Sequence, residues 1–347
     1  MKRLIAALLA VTLLLSGCAM RPNVLDGQMR GVWISYLEYG RILTGKTEQE
    51  FTESISQMFA RLSEEGYNTA VVQVRSHGDA YYPSELYPWS KYVTGTVGVD
   101  PGFDPLAIMV QQAHLAGLSL QAWINPYRLM RDEELALVSQ DYAVARWFGE
   151  SEYMVKEGEY WYLNPGSPAV QELIFTGVQE LVTNYAVDGV QIDDYFYVPT
   201  AAAFGHTETQ ARSYTSQMVR GIYDTIKNVD ESLLFGVSPA GNYTDVPVSD
   251  LTQLTDLVTW CTTPGYMDYV APQIYWGFED ENAPFEQVLR RWEELCAGGP
   301  VALVVGLAAY KFPTGGEIER QIERVESSPV ARGYLIFRYD DWFPPSE

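Results

Sequence analysis

The chain has 347 residues, 47% of them hydrophobic and 13% aromatic, and its 45 acidic residues face 23 Lys and Arg for a formal net charge of −22. A surface this acidic repels phosphate backbones, which argues against nucleic acid as a partner, and it disfavours anionic polymers unless a cleft carries a different local charge. His77, His114 and His206 stand far apart, and no HExxH, CxxC, GxSxG or phosphate-loop pattern occurs, so neither a metal nor another cofactor is expected.

In chain order, Lys2 and Arg3 precede an apolar run from Leu4 to Leu15, closed by Ser16-Gly17-Cys18. The run is short for a bilayer span and has the layout of a secretory signal. Leu15-Ser16-Gly17-Cys18 resembles a bacterial lipobox, with Cys18 as the lipidated first residue of the mature chain; ordinary signal cleavage is the alternative. Two or more acyl chains would anchor the protein stably. The expected layout is a lipoprotein signal over residues 1–17, a polar tether over 18–28 and one barrel domain over 29–347. The tether would hold that domain within roughly 30 Å of a membrane. The protein is then expected in the cell envelope, facing outward, as a monomer.

From there strands and helices alternate. Residues 31–37 read as a first strand, and 47–65 as a helix with Phe51, Ile55, Met58, Phe59 and Leu62 on one face. Thr69 to Arg75 is an apolar run suited to a buried parallel strand. A Tyr-, Pro- and Gly-rich loop follows over 76–102, too long for a plain connection. A helix over 104–116, a strand over 119–124, a helix over 132–148 and a small hairpin over 153–163 come next. A helix over 168–185 leads into a strand that ends in Asp193-Asp194-Tyr195-Phe196-Tyr197. Further strands are expected at 234–238, 269–276, 302–307 and 333–338, with helices over 207–228, 284–296 and 316–327. Cys261 and Cys296 are read either as a pair or as two buried thiols.

Eight short apolar strands interleaved with helices predict an α/β fold, a single-domain (β/α)8 TIM barrel, with the hairpin inserted after strand three and an abbreviated carboxyl end. A doubly wound open sheet is the alternative, but no glycine-rich nucleotide turn follows the first strand. The missing eighth outer helix leaves the barrel seam to be covered from elsewhere, with the segment before strand one as the expected cover.

Residues just past each barrel strand line one mouth. Here they are Glu38; Arg75, His77, Asp79 and Tyr81; Asn125, Tyr127 and Arg128; Asp193, Asp194 and Tyr195; Ser238; Gln273, Tyr275 and Trp276; Tyr310 and Lys311; and Asp340 and Asp341. Carboxylates, amides, arginines and aromatics in this mixture suit a carbohydrate cleft, because sugar rings stack on aromatic faces and glycosidic cleavage uses paired carboxylates. Asp193 or Asp194 is the expected catalytic carboxylate. Neighbours on a strand point to opposite faces, and two apolar faces leave open which one enters the cleft. Glu38 is the leading candidate for the second carboxylate, with Asp79 also considered. Substrate contacts are expected from Arg75, Asp79, Tyr81, Asn125, Tyr127, Arg128, Tyr195, Gln273, Tyr275 and Trp276. His77 reads as a loop histidine, and Asp340 and Asp341 as surface residues.

Arg30-Gly-Val-Trp-Ile34, Asp79-Ala-Tyr-Tyr-Pro83, Trp123-Ile-Asn-Pro-Tyr-Arg128, Tyr162-Leu-Asn-Pro-Gly166, the stretch from Asp188 to Tyr197, Phe235-Gly-Val-Ser-Pro239 and Ala271-Pro-Gln-Ile-Tyr-Trp276 occur in that order. Together they resemble the glycosyl-hydrolase-like ten family of bacterial envelope proteins, from about residue 28 to 340. The resemblance implies a TIM barrel, and it implies cleavage of peptidoglycan glycan strands that lack stem peptides. The chain departs from the family pattern where Val198 precedes Pro199. Two other readings stay open: a membrane-tethered carbohydrate-binding lipoprotein without turnover, and a hydrolase of another exported or dietary polysaccharide.

Overall fold

The computed structural model describes residues 23–193, 204–242 and 254–345. Its strands, in chain order, are β1 (Met29–Ile34), β2 (Thr69–Arg75), β3 (Ser119–Ile124), β4 (Met154–Glu157), β5 (Tyr160–Leu163), β6 (Gly189–Ile192), β7 (Leu234–Val237), β8 (Tyr269–Val270), β9 (Ala302–Ala308) and β10 (Ala331–Phe337). All but β4 and β5 close into one parallel barrel in the order β1-β10-β9-β8-β7-β6-β3-β2, and β4 and β5 form a separate antiparallel hairpin. This is a (β/α)8 TIM barrel, as the alternation of strands and helices predicts.

Several expected elements differ in extent, each for a local reason. β1 stops at Ile34 because Ser35 and Glu38 form a capping box and start a helix, Tyr36–Ile42. The helix expected over 132–148 is two short ones, Asp132–Leu135 and Ala143–Arg146. Between them the Ser139 hydroxyl donates to the Asp141 carboxylate and accepts from the Asp141 backbone N–H, a local turn that competes with helix. β8 covers two residues rather than the expected eight: Pro272 has no N–H to extend the ladder, and Gln273 keeps only single bridges to Ala240 and Gly306.

Two apolar layers result. The outer one packs the helices against outward strand residues such as Val32, Val72, Val190 and Val305. The inner one fills the barrel with Met29, Trp33, Val71, Trp123, Tyr269 and Leu335. Large inward side chains are accommodated because glycines face them. A Cβ on Gly236 would meet the Tyr269 ring at 2.0 Å, and one on Gly306 would meet Trp33 at 3.2 Å. Among the described residues before β1, the 3-10 turn Val24–Asp26 packs Val24 and Leu25 onto the inner cluster that includes Met29 rather than onto the seam.

The seam lies between β1 and β10 and is held at its carboxyl end by Glu38. One Glu38 oxygen accepts from the Ser35 backbone N–H at 2.9 Å and the Ser35 hydroxyl at 2.7 Å. The other accepts from Arg338 at 2.7 Å and from the Asp340 N–H at 3.3 Å. Beyond it the short helix Tyr339–Trp342 folds back, with Trp342 donating to the Tyr67 hydroxyl at 2.6 Å and Arg61 lying 4.5 Å over the Phe343 ring. Replacing Glu38 by Ala removes the ion pair across the seam, leaving Arg338 with Asp341 alone, and breaks the capping box of the helix. The expected cost is on the order of 3 kcal/mol, read as a lower urea midpoint with an unchanged m-value.

Candidate active site

The carboxyl ends of the strands surround a cavity of about 290 Å³. Its walls include Trp33, Tyr36, Leu37, Trp123, Tyr275, Tyr310 and Phe337, and its polar lining is Ser35, Gln73, Arg128, Asp193, Ser238 and Gln273. Phe337 is the hub of the aromatic wall. Tyr275 stacks on it at 6.1 Å, and Trp33, Trp123 and Tyr310 meet it edge-on at 6.1, 6.4 and 6.1 Å.

Strand parity decides which residues face this space. Gln191 lies inside the barrel, where its Oε1 accepts from Trp33 Nε1 at 2.5 Å and its Nε2 donates to the Tyr269 hydroxyl at 3.0 Å. Two residues on, with the same parity, Asp193 lies in the cavity, 6% exposed. Both its oxygens accept from Asn125 Nδ2 at 2.7 Å. Asn125 Oδ1 accepts from Gln73 Nε2 at 2.6 Å, and Gln73 Oε1 accepts from the Tyr36 backbone N–H at 3.1 Å. A carboxylate that receives hydrogen bonds is favoured in its charged form. Arg128 brings a cation to the same space, with Nε donating to the Ser76 carbonyl at 3.0 Å and the guanidinium 5.8 Å over the Tyr36 ring. Trp123 Nε1 is buried and has no hydrogen-bond partner among the described residues.

Of the residues expected in the cleft, Asp193, Asn125, Arg128, Gln273 and Tyr275 come together, Asn125 as the partner of Asp193. Glu38 does not line the cavity. It is fully buried, with one oxygen taken by the Ser35 cap and the other by the seam, so it does not fit the place of a second catalytic carboxylate. Arg75 faces the helix layer: the ladder shifts register between Gln73 and Arg75, and the guanidinium sits 4.4 Å over the Tyr87 ring against Gly177. Asp79 ties the long loop together by accepting from the Ser76 and His77 backbone N–H groups at 3.1 and 2.8 Å, and burial raises its carboxyl above the usual range. Tyr81 is buried beneath that loop, its hydroxyl 2.9 Å from the Ser76 hydroxyl. Tyr127 is fully buried away from the cavity. Trp276 lies outside the lining, its carbonyl accepting from Gln321 at 3.0 Å. Asp194, Tyr195 and Cys18 fall outside the described residues. Cys261 and Cys296 are buried thiols, not a disulfide.

Sequence reasoning did not single out Gln73, Trp33, Trp123 or Phe337 as cleft residues. The usable signal was a lone glutamine inside an apolar parallel strand. Gln73 and Gln191 each mark the inward face, and counting by twos from Gln191 reaches Asp193 rather than Asp194.

With this geometry in view, a family model described as "Glycosyl hydrolase-like 10" matches residues 28–216 and 209–323. The chain is 32% identical to "Glycosyl hydrolase YngK" of Bacillus subtilis strain 168, covering 98% of this chain and 73% of that one. It is 30% identical to "Glycosyl hydrolase DigH" of Escherichia coli K12, covering 90% and 83%. Among solved structures, the PgaB (BpsB) glycoside hydrolase domain from Bordetella bronchiseptica superposes with a TM-score of 0.64 at 15% identity, over 91% of this chain and 96% of that one. Alpha-L-fucosidase isoenzyme 2 from Paenibacillus thiaminolyticus gives 0.56 at 17% identity, over 89% and 46%. At these identities the structural likeness speaks for the barrel alone.

His77 borders the site through Tyr36, whose ring it meets at 5.2 Å, and stacks on Tyr160 at 5.4 Å. Burial first, then the charges of Arg128, Lys91 and Arg131, hold its imidazole well below the ordinary value. The folded chain therefore resists a proton that the unfolded chain takes up near pH 6.5. Stability is full above about pH 6.5 and falls as pH drops below it. In urea titrations between about pH 6.5 and 5, His77→Gln should remove up to about one proton from the pH slope of stability.

Proposed function

This chain belongs to the glycosyl hydrolase-like 10 family, and from that premise we propose that it is a glycosidase of bacterial wall glycan, acting on peptidoglycan strands without stem peptides. The observation that carries the reading is Asp193, a buried carboxylate held by an amide in an aromatic-walled cavity at the carboxyl mouth of the barrel. Tyr275, Trp33 and Phe337 offer apolar faces for a sugar ring. Asp193 acts from one face of the scissile bond, as nucleophile, as base for water, or as partner to the positive charge that builds at the anomeric carbon. Its hydrogen bonds suit those anionic roles and not proton donation. The acid that protonates the leaving oxygen is a separate group.

The wall assignment draws on the sequence resemblance and on local charge. Arg128 and Asp193 are the charged lining residues among those described, so the cavity is balanced although the chain is strongly acidic. An anionic glycan is therefore acceptable at the cleft itself. The same reading takes residues 1–17 as a lipoprotein signal and Cys18 as its lipidated end, tethering the enzyme to the membrane of the cell envelope. Mass analysis of the mature amino terminus should find an acylated Cys18; an unmodified terminus at another residue would remove the anchor.

Incubating the protein with peptide-stripped peptidoglycan strands should release defined oligosaccharides by mass analysis. Asp193→Asn should lower their rate by about 10²- to 10⁴-fold while strand binding persists. Full activity in Asp193→Asn would refute the role of Asp193. Binding without any products from the wild-type chain would make it a tethered binding protein or point to another polysaccharide.

A further inference from the structure

We propose that Gln73 is a positioning residue for the reaction: acting through Asn125, it fixes both the orientation of Asp193 and its anionic state. The proposal rests on the reading of Asp193 as a catalytic carboxylate and goes one step further, to a residue on another strand.

The direction of each hydrogen bond in this chain follows from its far end. The backbone N–H of Tyr36 can only donate, so the group facing it at 3.1 Å is the Gln73 oxygen. That turns Gln73 Nε2 toward Asn125, where only Oδ1 can accept, at 2.6 Å. Asn125 is then left with its amino group facing Asp193, 2.7 Å from both carboxylate oxygens. Gln73, Asn125 and Asp193 are 0, 1 and 6% exposed, so water does not readily replace a lost partner. A proton on the Asp193 oxygen facing this amide would set donor against donor. Nothing in the chain from Tyr36 to Asn125 can reverse to receive it, because a main-chain N–H cannot become an acceptor. The relay therefore selects the carboxylate over the carboxylic acid. It also sets the plane of the carboxylate, because one nitrogen bridges both oxygens.

A residue that merely filled the barrel would show none of this directionality. Gln73→Met keeps the size and removes both polar ends. Gln73→Glu reproduces the donor and acceptor pattern only while the new side chain is protonated. In the full chain, with the strand-cleavage assay, Gln73→Met should lower kcat by about 10- to 100-fold with KM within about twofold. The acid limb of its kcat profile should move to higher pH. Gln73→Glu should be active at low pH and lose kcat as pH rises, through a limb that the wild type lacks.

A readout without substrate accompanies these. Carbon-13 labelling of aspartate carboxyls, with the Asp193 signal assigned by its loss in Asp193→Asn, follows its ionisation directly. Its midpoint should rise by about one pH unit in Gln73→Met. An unshifted Asp193 midpoint, or pH profiles of wild-type shape in both variants, would overturn the proposal. So would a loss expressed only in KM. If Asp193→Asn itself cleaves normally, the reading of Asp193 falls. If Asp193→Asn is inactive while Gln73→Met matches the wild type in kcat and in the Asp193 midpoint, only the role of Gln73 falls. Should Gln73→Met fail to fold, Gln73→Glu carries the test.

Discussion

A closed eight-stranded barrel has an interior just wide enough to be filled by side chains, so a polar atom that points inward loses water and is costly to leave without a partner. Much of this protein's chemistry follows from that restriction. Gln191 sits between Trp33 and Tyr269, each of its polar ends paired. One layer nearer the mouth, Gln73 and Asn125 pass a single line of hydrogen bonds to Asp193. The carboxylate is the end of an ordered interior rather than a group on a surface loop, and its orientation is fixed by the barrel.

The turn that follows β1 joins two tasks. Ser35 and Glu38 cap the helix Tyr36–Ile42, and the capped turn presents the Tyr36 N–H that begins the line to Asp193. Glu38 also reaches across the seam to Arg338 on the far side of the closure. Closing the barrel and orienting the carboxylate thus depend on the same few residues. A carboxylate at this place, which sequence reading takes for a catalyst, is instead a clasp. The long loop after β2 has a similar character. Tyr81 and His77 spend their polar groups on the Ser76 hydroxyl and Asp79 on the loop backbone, and the loop supports Tyr36 and Arg128 from behind instead of reaching the cavity.

Much of the barrel was legible because each helix carries its apolar stripe and each buried strand its unbroken apolar run. The failures were local. A capping box was read as strand, a Ser-x-Asp turn as helix, and a proline's missing donor was overlooked at β8. In the site, the strand-end rule found Asp193, Asn125, Arg128, Gln273 and Tyr275. It also gathered Arg75, which an irregularity in β2 turns outward onto Tyr87, and Trp276, which lies past the lining. The aromatic wall around Phe337 went unread, because an aromatic in a buried strand has the same pattern whether it faces helices or cavity.

By itself the sequence determined the alternation of strands and helices, the family, and the arrival of adjacent acidic residues at the end of one strand. Periodicity and motif order are local properties, and local properties survive in a one-dimensional record. Only the tertiary structure decided that Asp193 enters the cavity and that Glu38 closes a seam. Strands buried on both faces carry almost no polar alternation, and a lone glutamine such as Gln191 is a clue to the inward face whose direction only the closed barrel confirms. The deciding partners are far apart in the chain, 68 residues between Asn125 and Asp193 and 300 between Glu38 and Arg338. Such contacts exist only once the barrel has closed.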